Sequence, residues 1–469
     1  MMASSPQSSL GGPPAGRLDL ACPARESAAA MTAQQPTAPA ETTATPPRMR
    51  KVVTAGLLGT SLETYDLYLY GTASATIFPR LFFTNQSDTV ATILSLATFG
   101  VSFMARPLGA IIFGHFGDRI GRKETLITTL LLMGVSTAVI GALPTYDSIG
   151  ALAPVVLVLL RLLQGVGFGG EYSGAVLMLS EHAPAGRRGF YAGLNNIGPV
   201  FGFILSTLVF LVTGSLMSDA TFTAWGWRIP FLLSAVLVAV GLYVRNQLSE
   251  SSLFIEAVKK RESATPPLLQ VVRRHPKELI LGTGSTVALF AIFYLFSTYT
   301  LSYATKVLQM DRSTVLWSVI LAMVVNGVAI PLAASLSDRV GRRAVCVAGL
   351  AAAALWAFPM FSLINTGNSS LLTLALSVQM VFYGVIYAPI AALLSEIFTT
   401  SVRFTGAALS YNLGGILGAA FAPIIASALL ARYGNTDPIA LYIIAMCVIS
   451  AVCVAALRET RLTNLAEPR

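Results

Sequence analysis

Residues 114–123 read Gly-His-Phe-Gly-Asp-Arg-Ile-Gly-Arg-Lys, and residues 334–343 read Ala-Ser-Leu-Ser-Asp-Arg-Val-Gly-Arg-Arg. The two stretches lie 220 positions apart, counted from Asp118 to Asp338. Each follows a long apolar run and places one carboxylate among basic side chains at a turn. A second echo accompanies them. Leu179-Ser180-Glu181 is followed by Arg188, and Leu394-Ser395-Glu396 by Arg403, with the same spacing from Glu to Arg. Two echoes in register describe a duplicated unit. Both copies put the motif on one side of a membrane, so the halves are parallel rather than inverted repeats.

The runs between the motifs explain the membrane reading. The chain has 469 residues, 54% hydrophobic and 11% charged, against about 25% charged in a soluble domain. From Val52 onward apolar runs of about 20 residues recur, the length that crosses about 30 Å of hydrocarbon. They predict spans at 52–78, 90–113, 125–144, 152–178, 189–213, 229–246, 279–304, 314–336, 344–364, 371–393, 404–430 and 439–457. The expected architecture is an all-α membrane protein of twelve transmembrane helices in two parallel six-helix repeats. Its parts are a disordered tail at 1–47, a first bundle at 48–246, a polar and basic central loop at 247–277, a second bundle at 278–458 and a tail at 459–469. The first tail is rich in Pro, Ser, Thr and Ala and has no apolar core like that of a signal peptide. Met1 and Met31 both remain open as the true start.

Charge gives the topology. The net charge of +9 is concentrated on the loops that share a side with the tails, including Arg119, Arg122, Lys123, Arg187, Arg188, Lys259, Lys260, Arg261, Arg339, Arg342, Arg343 and Arg403. Under the positive-inside rule both termini and the central loop are cytoplasmic, in a multi-pass protein of the cell membrane. Cys22, Cys346, Cys447 and Cys453 show no paired spacing. His115, His182 and His275 are scattered, and neither HExxH, GxSxG nor a GxxxxGK phosphate loop occurs. No metal, cofactor or nucleic-acid partner is implied, and enzymatic function is not expected.

On these residues the chain resembles the major facilitator superfamily. Gly114-x-x-Gly117-Asp118-Arg119-x-Gly121-Arg122-Lys123 is similar to its signature loop after the second span, and the copy after the eighth is a degenerate form with Ala334 and Ser337 at the glycine positions. Arg161-x-x-Gln164-Gly165 is similar to a second common motif in span four. A narrower resemblance is to the metabolite:H⁺ symporter branch of shikimate, dicarboxylate, citrate and proline/betaine carriers. It rests on Glu63-Thr64-Tyr65-Asp66-Leu67-Tyr68-Leu69-Tyr70-Gly71, Arg106-Pro107-Leu108-Gly109 and Gly169-Gly170-Glu171-Tyr172. The match covers roughly residues 50–458, and Thr64 stands where the branch usually has Trp. The resemblance implies secondary transport by alternating access, with a midplane site between two rocking bundles.

Within that frame three residues stand out. Glu63, Asp66 and Arg161 lie inside apolar spans, where each charge opposes insertion by about 2.5–3.5 kcal/mol. Glu63 and Asp66 are three apart and share a helix face, and Arg161 projecting toward that face would neutralise one of them. A carboxyl there exchanges a proton when the balance between desolvation and a nearby guanidinium changes. Freed Arg161 would then grip a substrate carboxylate. The bland alternative is a static structural ion pair. Arg106 is read as a snorkelling interfacial residue or a functional one, and Glu171 as a further coupling candidate. Gln164, Tyr65, Asn195, Tyr383 and Asn412 are cavity candidates, with interhelical hydrogen bonding as the alternative.

Gly117, Asp118, Arg119, Gly121, Arg122 and Lys123 form an expected latch between spans two and eleven. Asp338, Arg339, Gly341, Arg342 and Arg343 would serve the other half. Gly165-x-Gly167-x-x-Gly170 formally matches a dinucleotide fingerprint, but no strand precedes it. Close helix packing is the better reading of these glycines, and of Gly198/Gly202 and Gly414/Gly418 in spans where the halves meet. The function expected is proton-driven import of a small organic acid or zwitterion, the partners being lipid, protons and one small solute, with a monomer sufficient. A proline or betaine carrier is the alternative, and a non-transporting solute sensor the reading from another class.

Overall fold

A computed structural model describes residues 49–120, 122–169, 187–246, 267–399 and 402–461. The proposed disordered tail at 1–47 lies outside them. Eight helices among the described residues are long and apolar enough to cross a membrane: Asp88–Phe113, Gly189–Ser215, Pro276–Lys306, Arg312–Val340, Arg342–Ile364, Ser369–Ile397, Thr405–Tyr433 and Asp437–Ala456. The remaining four places in the series are taken by Met49–Thr76, by the shorter apolar helices Ile127–Ala142 and Leu152–Phe168, and by Asp219–Gly226 with Arg228–Tyr243, bent by 45° at their junction. Numbered in chain order these are spans one to twelve. Their outer faces carry large exposed apolar side chains such as Leu355, Leu332 and Val328, the surface a hydrocarbon solvent accepts.

Local chemistry sets many ends. Asp311 caps span eight by accepting the Thr314 amide at 2.9 Å, and Asn368 caps span ten by accepting those of Ser370 and Leu371 at 2.9 and 3.2 Å. Such a cap satisfies amides that a helix leaves without partners. Gly434 ends span eleven with φ 71°. Spans eight and nine are separated by Gly341 alone, whose φ of 124° lies where only glycine sits without strain. The motif's third glycine position, Gly121 in the first copy and Gly341 here, therefore makes the turn possible. Three stretches widen into π-helix: Phe222–Gly226, Leu295–Tyr299 and Ile416–Ala420.

Glycine-led packing holds each half together. A Cβ on Gly165 would collide with the Ser102 carbonyl, and one on Gly169 with that of Arg106, so spans two and four touch backbone to backbone. Gly198 and Gly202 press on Thr60 and Thr64 of span one, and Gly414 and Gly418 on Thr286 and the Val287 carbonyl of span seven. The packing reading of these glycines holds. Their placement differs from expectation, since they join spans within a half rather than across the halves.

The seam between halves is rich in aromatic rings, with Gly100 of span two also meeting the Ala420 backbone of span eleven. Tyr68 lies 5.2 Å from Phe293, and Phe99 and Phe103 lie 5.0 and 5.2 Å from Tyr294, ring centre to ring centre. Each such pair adds about 0.5–1.5 kcal/mol beyond burial. The end of the central loop is not featureless, because Pro267–Arg274 forms a helix. Nor is the final stretch a loose tail at its start. Glu459 accepts the amides of Arg342 and Arg343 at 3.0 and 3.1 Å, capping span nine, and Thr460 donates to Glu396 at 2.5 Å.

Candidate functional site

Spans one, two and four bring their charged residues to one small cavity in the first half. Asp66, Arg106, Arg161 and Gln164 line it together with Ser102, Met133 and Phe168, and all four named first are buried. The open space is about that of a single water. Span four is positioned by its glycine contacts with span two, which bring the Arg161 guanidinium beneath the Tyr70 ring, 3.8 Å from its centre. Arg161 donates to Gln164 Oε1 at 2.6 Å, to Ser102 Oγ at 2.7 Å and to the Phe99 carbonyl at 3.3 Å.

Asp66 receives the Ser234 hydroxyl from span six at 2.5 Å, and Thr137 of span three is a second hydrogen-bond partner. Gln164 Nε2 donates to that same Thr137 oxygen at 2.6 Å. The guanidinium and the carboxylate thus share a cavity, connected through Gln164 and Thr137, and no direct ion pair between them is found. The expected direct neutralisation is replaced by a relay. Glu63 is buried one turn away on the same span, outside the lining of this cavity.

Arg106 does not snorkel. It is 2% exposed and sandwiched between Phe103 and Phe168, whose ring centres lie 3.7 and 4.0 Å from its Cζ. Pro107 and the contact of Gly109 with the Val166 carbonyl hold this part of span two against span four, which turns the side chain inward. Tyr294 of the second half is its hydrogen-bond partner, yet Nε and Nη2 have none.

The remaining candidates disperse. Tyr65 donates to the Pro230 carbonyl at 2.9 Å, a bond inside the first half. Tyr383 lies on the seam, 5.3 Å from both Phe293 and Tyr387. Asn195 and Asn412 are buried but do not line the cavity. Sequence reasoning passed over Ser102, Thr137 and Ser234. Hydroxyls in spans usually bond their own helix, as Ser136 does with the Leu132 carbonyl at 2.6 Å and as Ser102 and Thr137 themselves do with those of Phe99 and Met133, and nothing in composition or spacing marks those that also serve a neighbour.

Both ends of the seam are joined among the described residues. On the motif side Asp338 accepts the Gly189 and Phe190 amides at 3.0 and 2.9 Å. The same carboxylate pairs with Arg342 at 2.7 Å, and Arg342 stands 3.6 Å from Glu396. Asn196 donates to the Tyr387 carbonyl at 3.0 Å. Arg339 is exposed, and Arg343 bonds the Ala455 carbonyl, so neither reaches across. At the other end Lys306 donates to Thr92 at 2.7 Å, and Arg312 pairs with Asp219 at 3.5 Å. Gly121, Glu171 and the side chains of residues 114–126, among them Asp118, Arg119, Arg122 and Lys123, lie outside the described residues.

A chain of two like-oriented sets of apolar helices, joined at both ends of their seam and with a buried charged cavity inside the first, is a secondary transporter of the multi-pass membrane class. It belongs to the major facilitator superfamily. Residues 51–279 match the family described as sugar (and other) transporter, and residues 281–469 match the Major Facilitator Superfamily. Relatives include the inner membrane metabolite transport protein YhjE of Escherichia coli (strain K12), 41% identical over 88% of this chain and 95% of that one. The shikimate transporter of the same organism is 35% identical over 91% and 98%, and its proline/betaine transporter 31% over 88% and 84%. Among solved structures the proton:xylose symporter XylE superposes with a TM-score of 0.69 at 18% identity, covering 88% of this chain and 96% of that one, a likeness of fold.

Proposed function

We propose that the protein imports a small carboxylate-bearing metabolite together with a proton, anchoring the carboxylate on Arg106 and carrying the proton on Asp66. The observation that carries this reading is the state of Arg106. It is a fully buried guanidinium with two N–H-bearing nitrogens left without partners, in one cavity with an ionisable carboxyl. A buried cation left short of partners is costly. A planar fork of donors is the geometry that grips a carboxylate. Arg161 is the poorer anchor because its two terminal nitrogens are already engaged, so its part is to set the surroundings of Asp66 through Gln164 and Thr137.

The cavity is far too small for a metabolite, which supports a cycle in which the halves part at one end to admit cargo and close before parting at the other. Asp338 and its partners would hold the motif side shut, and Lys306 and Arg312 the opposite side. By the distribution of basic loops the motif side and both termini are cytoplasmic. One chain holds both halves, so a monomer suffices.

The likeness to the shikimate transporter supports an organic acid. A second reading, a zwitterionic osmolyte, is favoured by the aromatic rings of Tyr68, Phe103, Phe293 and Tyr294 beside Arg106, since such faces attract a quaternary ammonium. Purified protein in liposomes with an imposed inward proton gradient tests the proposal. Accumulation of shikimate or glycine betaine that collapses with a protonophore and is lost in Arg106→Gln supports it. Accumulation indifferent to the gradient, or unaltered in that variant, rejects it.

A further inference from the structure

Gln379, in span ten of the second half, is 1% exposed, and neither its Nε2 nor its Oε1 has a hydrogen-bond partner. A buried carboxamide with both ends unmet is costly to keep where an apolar residue of similar size would fit. Its position says what it faces. Gln379, Tyr383 and Tyr387 are spaced by four and share a face of the helix. The Tyr383 ring lies tilted against that of Phe293 at the seam, and the Tyr387 carbonyl accepts Asn196 of the first half. Phe293 in turn packs on Tyr68 and Phe203 of the first half, so Gln379 lies one helical turn from a side chain that borders the seam.

Span eight adds a second unmet group. Asn326 is 1% exposed with Oδ1 unpartnered. Its oxygen lies 3.0 Å from where a Cβ on Gly384 would stand, which sets it against span ten about a turn and a half beyond Gln379. No charged side chain appears among these groups, so what they offer is donor and acceptor capacity without charge.

We infer that Gln379 forms an uncharged subsite in the second half that recognises hydroxyl groups at the end of the cargo away from its carboxylate. The inference rests on the reading of Arg106 as the carboxylate anchor and narrows the substrate class within it. A carboxamide both donates and accepts, as a hydroxyl does, whereas a quaternary ammonium offers neither. A site built around such a group discriminates against a cargo that leaves it unmet.

The test is binding of shikimate, a hydroxylated carboxylate, and glycine betaine, a carboxylate without hydroxyls, to the purified full chain and to Gln379→Leu. The subsite predicts that the variant weakens shikimate binding about tenfold and glycine betaine binding less than about twofold, with ligand-free thermal stability equal to or above that of the wild type. Gln379→Met provides the same comparison should the leucine variant fold poorly. Equal affinity of wild type and variant for shikimate overturns the subsite while leaving the Arg106 anchor standing. Equal loss of both ligands overturns it as well, marking Gln379 as structural. Wild type that binds neither ligand, or binds only glycine betaine, overturns both the subsite and the hydroxylated-acid reading.

Discussion

Arg161 and Asp66 look into one cavity yet communicate through two intermediates, Gln164 at 2.6 Å from the guanidinium and Thr137 at 2.6 Å from Gln164. A direct ion pair in low dielectric is stiff, because separating its members leaves two bare charges. A relay of neutral groups rearranges at lower cost, and the carboxyl at its end can change protonation while the guanidinium keeps its partners.

Replacing Asp66 with Asn keeps the shape and the Ser234 contact but removes the ionisable group. Accumulation driven by a pH gradient is expected to fall to background, while exchange of labelled for unlabelled substrate at equal pH persists. Reconstituted uptake and counterflow read the two separately. Intact gradient-driven accumulation in Asp66→Asn would remove this residue from the proton path.

Gln164→Leu breaks the relay at its centre. It leaves the Arg161 Nη1 donor buried without Gln164, a loss of about 1–3 kcal/mol in stability. Thermal unfolding in detergent should show the drop, together with a shift in the pH dependence of uptake. A variant as stable as wild type with an unaltered pH profile would mean that the chain of bonds has no bearing on coupling.

Asp338→Ala deprives the amides of Gly189 and Phe190 and the Arg342 guanidinium of one shared carboxylate. Hydrogen bonds to a charged group contribute about 1.5–3 kcal/mol each, so hydrogen exchange at the start of span five should speed up about tenfold or more. Exchange in the distant segment around Leu372 serves as the control. Unchanged exchange at Gly189 would show that the joint on the motif side is held by other contacts.

Glu459 yields a prediction in pH. Burial raises its carboxyl pKa, and the backbone amides of Arg342, Arg343, Arg461 and Thr460 outweigh that and hold it below the usual 4.5. A depressed carboxylate stabilises the folded state fully above its unfolded value and loses that contribution as pH falls through the folded one. Wild type should therefore exceed Glu459→Gln in thermal stability at neutral pH, and the gap should narrow below about pH 4.5. A gap constant from pH 7 down to pH 3 would assign the effect to packing.

Much of the architecture was legible because lipid imposes one requirement on every span, a run of apolar residues of fixed length. Span edges were less so. Span six begins at Asp219 rather than near 229, because Phe222–Gly226 coils as π-helix and bends into the next segment, and its Asp, Thr and Trp residues do not read as membrane core. Of the site, the charges in spans were legible by their cost: Asp66 and Arg161 converge on one cavity, and Glu63 stays outside its lining. For Arg106 the choice between snorkelling and an inward role was not legible, since its inward turn depends on which glycine faces span four. The docking of Glu459 and Thr460 was hidden too, because a polar end next to a membrane helix looks the same whether it floats or binds.

The π-helical turn at Leu295–Tyr299 holds one residue more than an α-turn would in the same rise, so everything after it is set by a count. Deleting a single residue there would rotate the rest of span seven by about 100°. Tyr303 would turn away from Asn365, to which it donates at 2.8 Å, and Lys306 would swing away from Thr92. Length variation in this stretch is thus a lever on which way the molecule opens, acting with no change in any side chain that makes the contact.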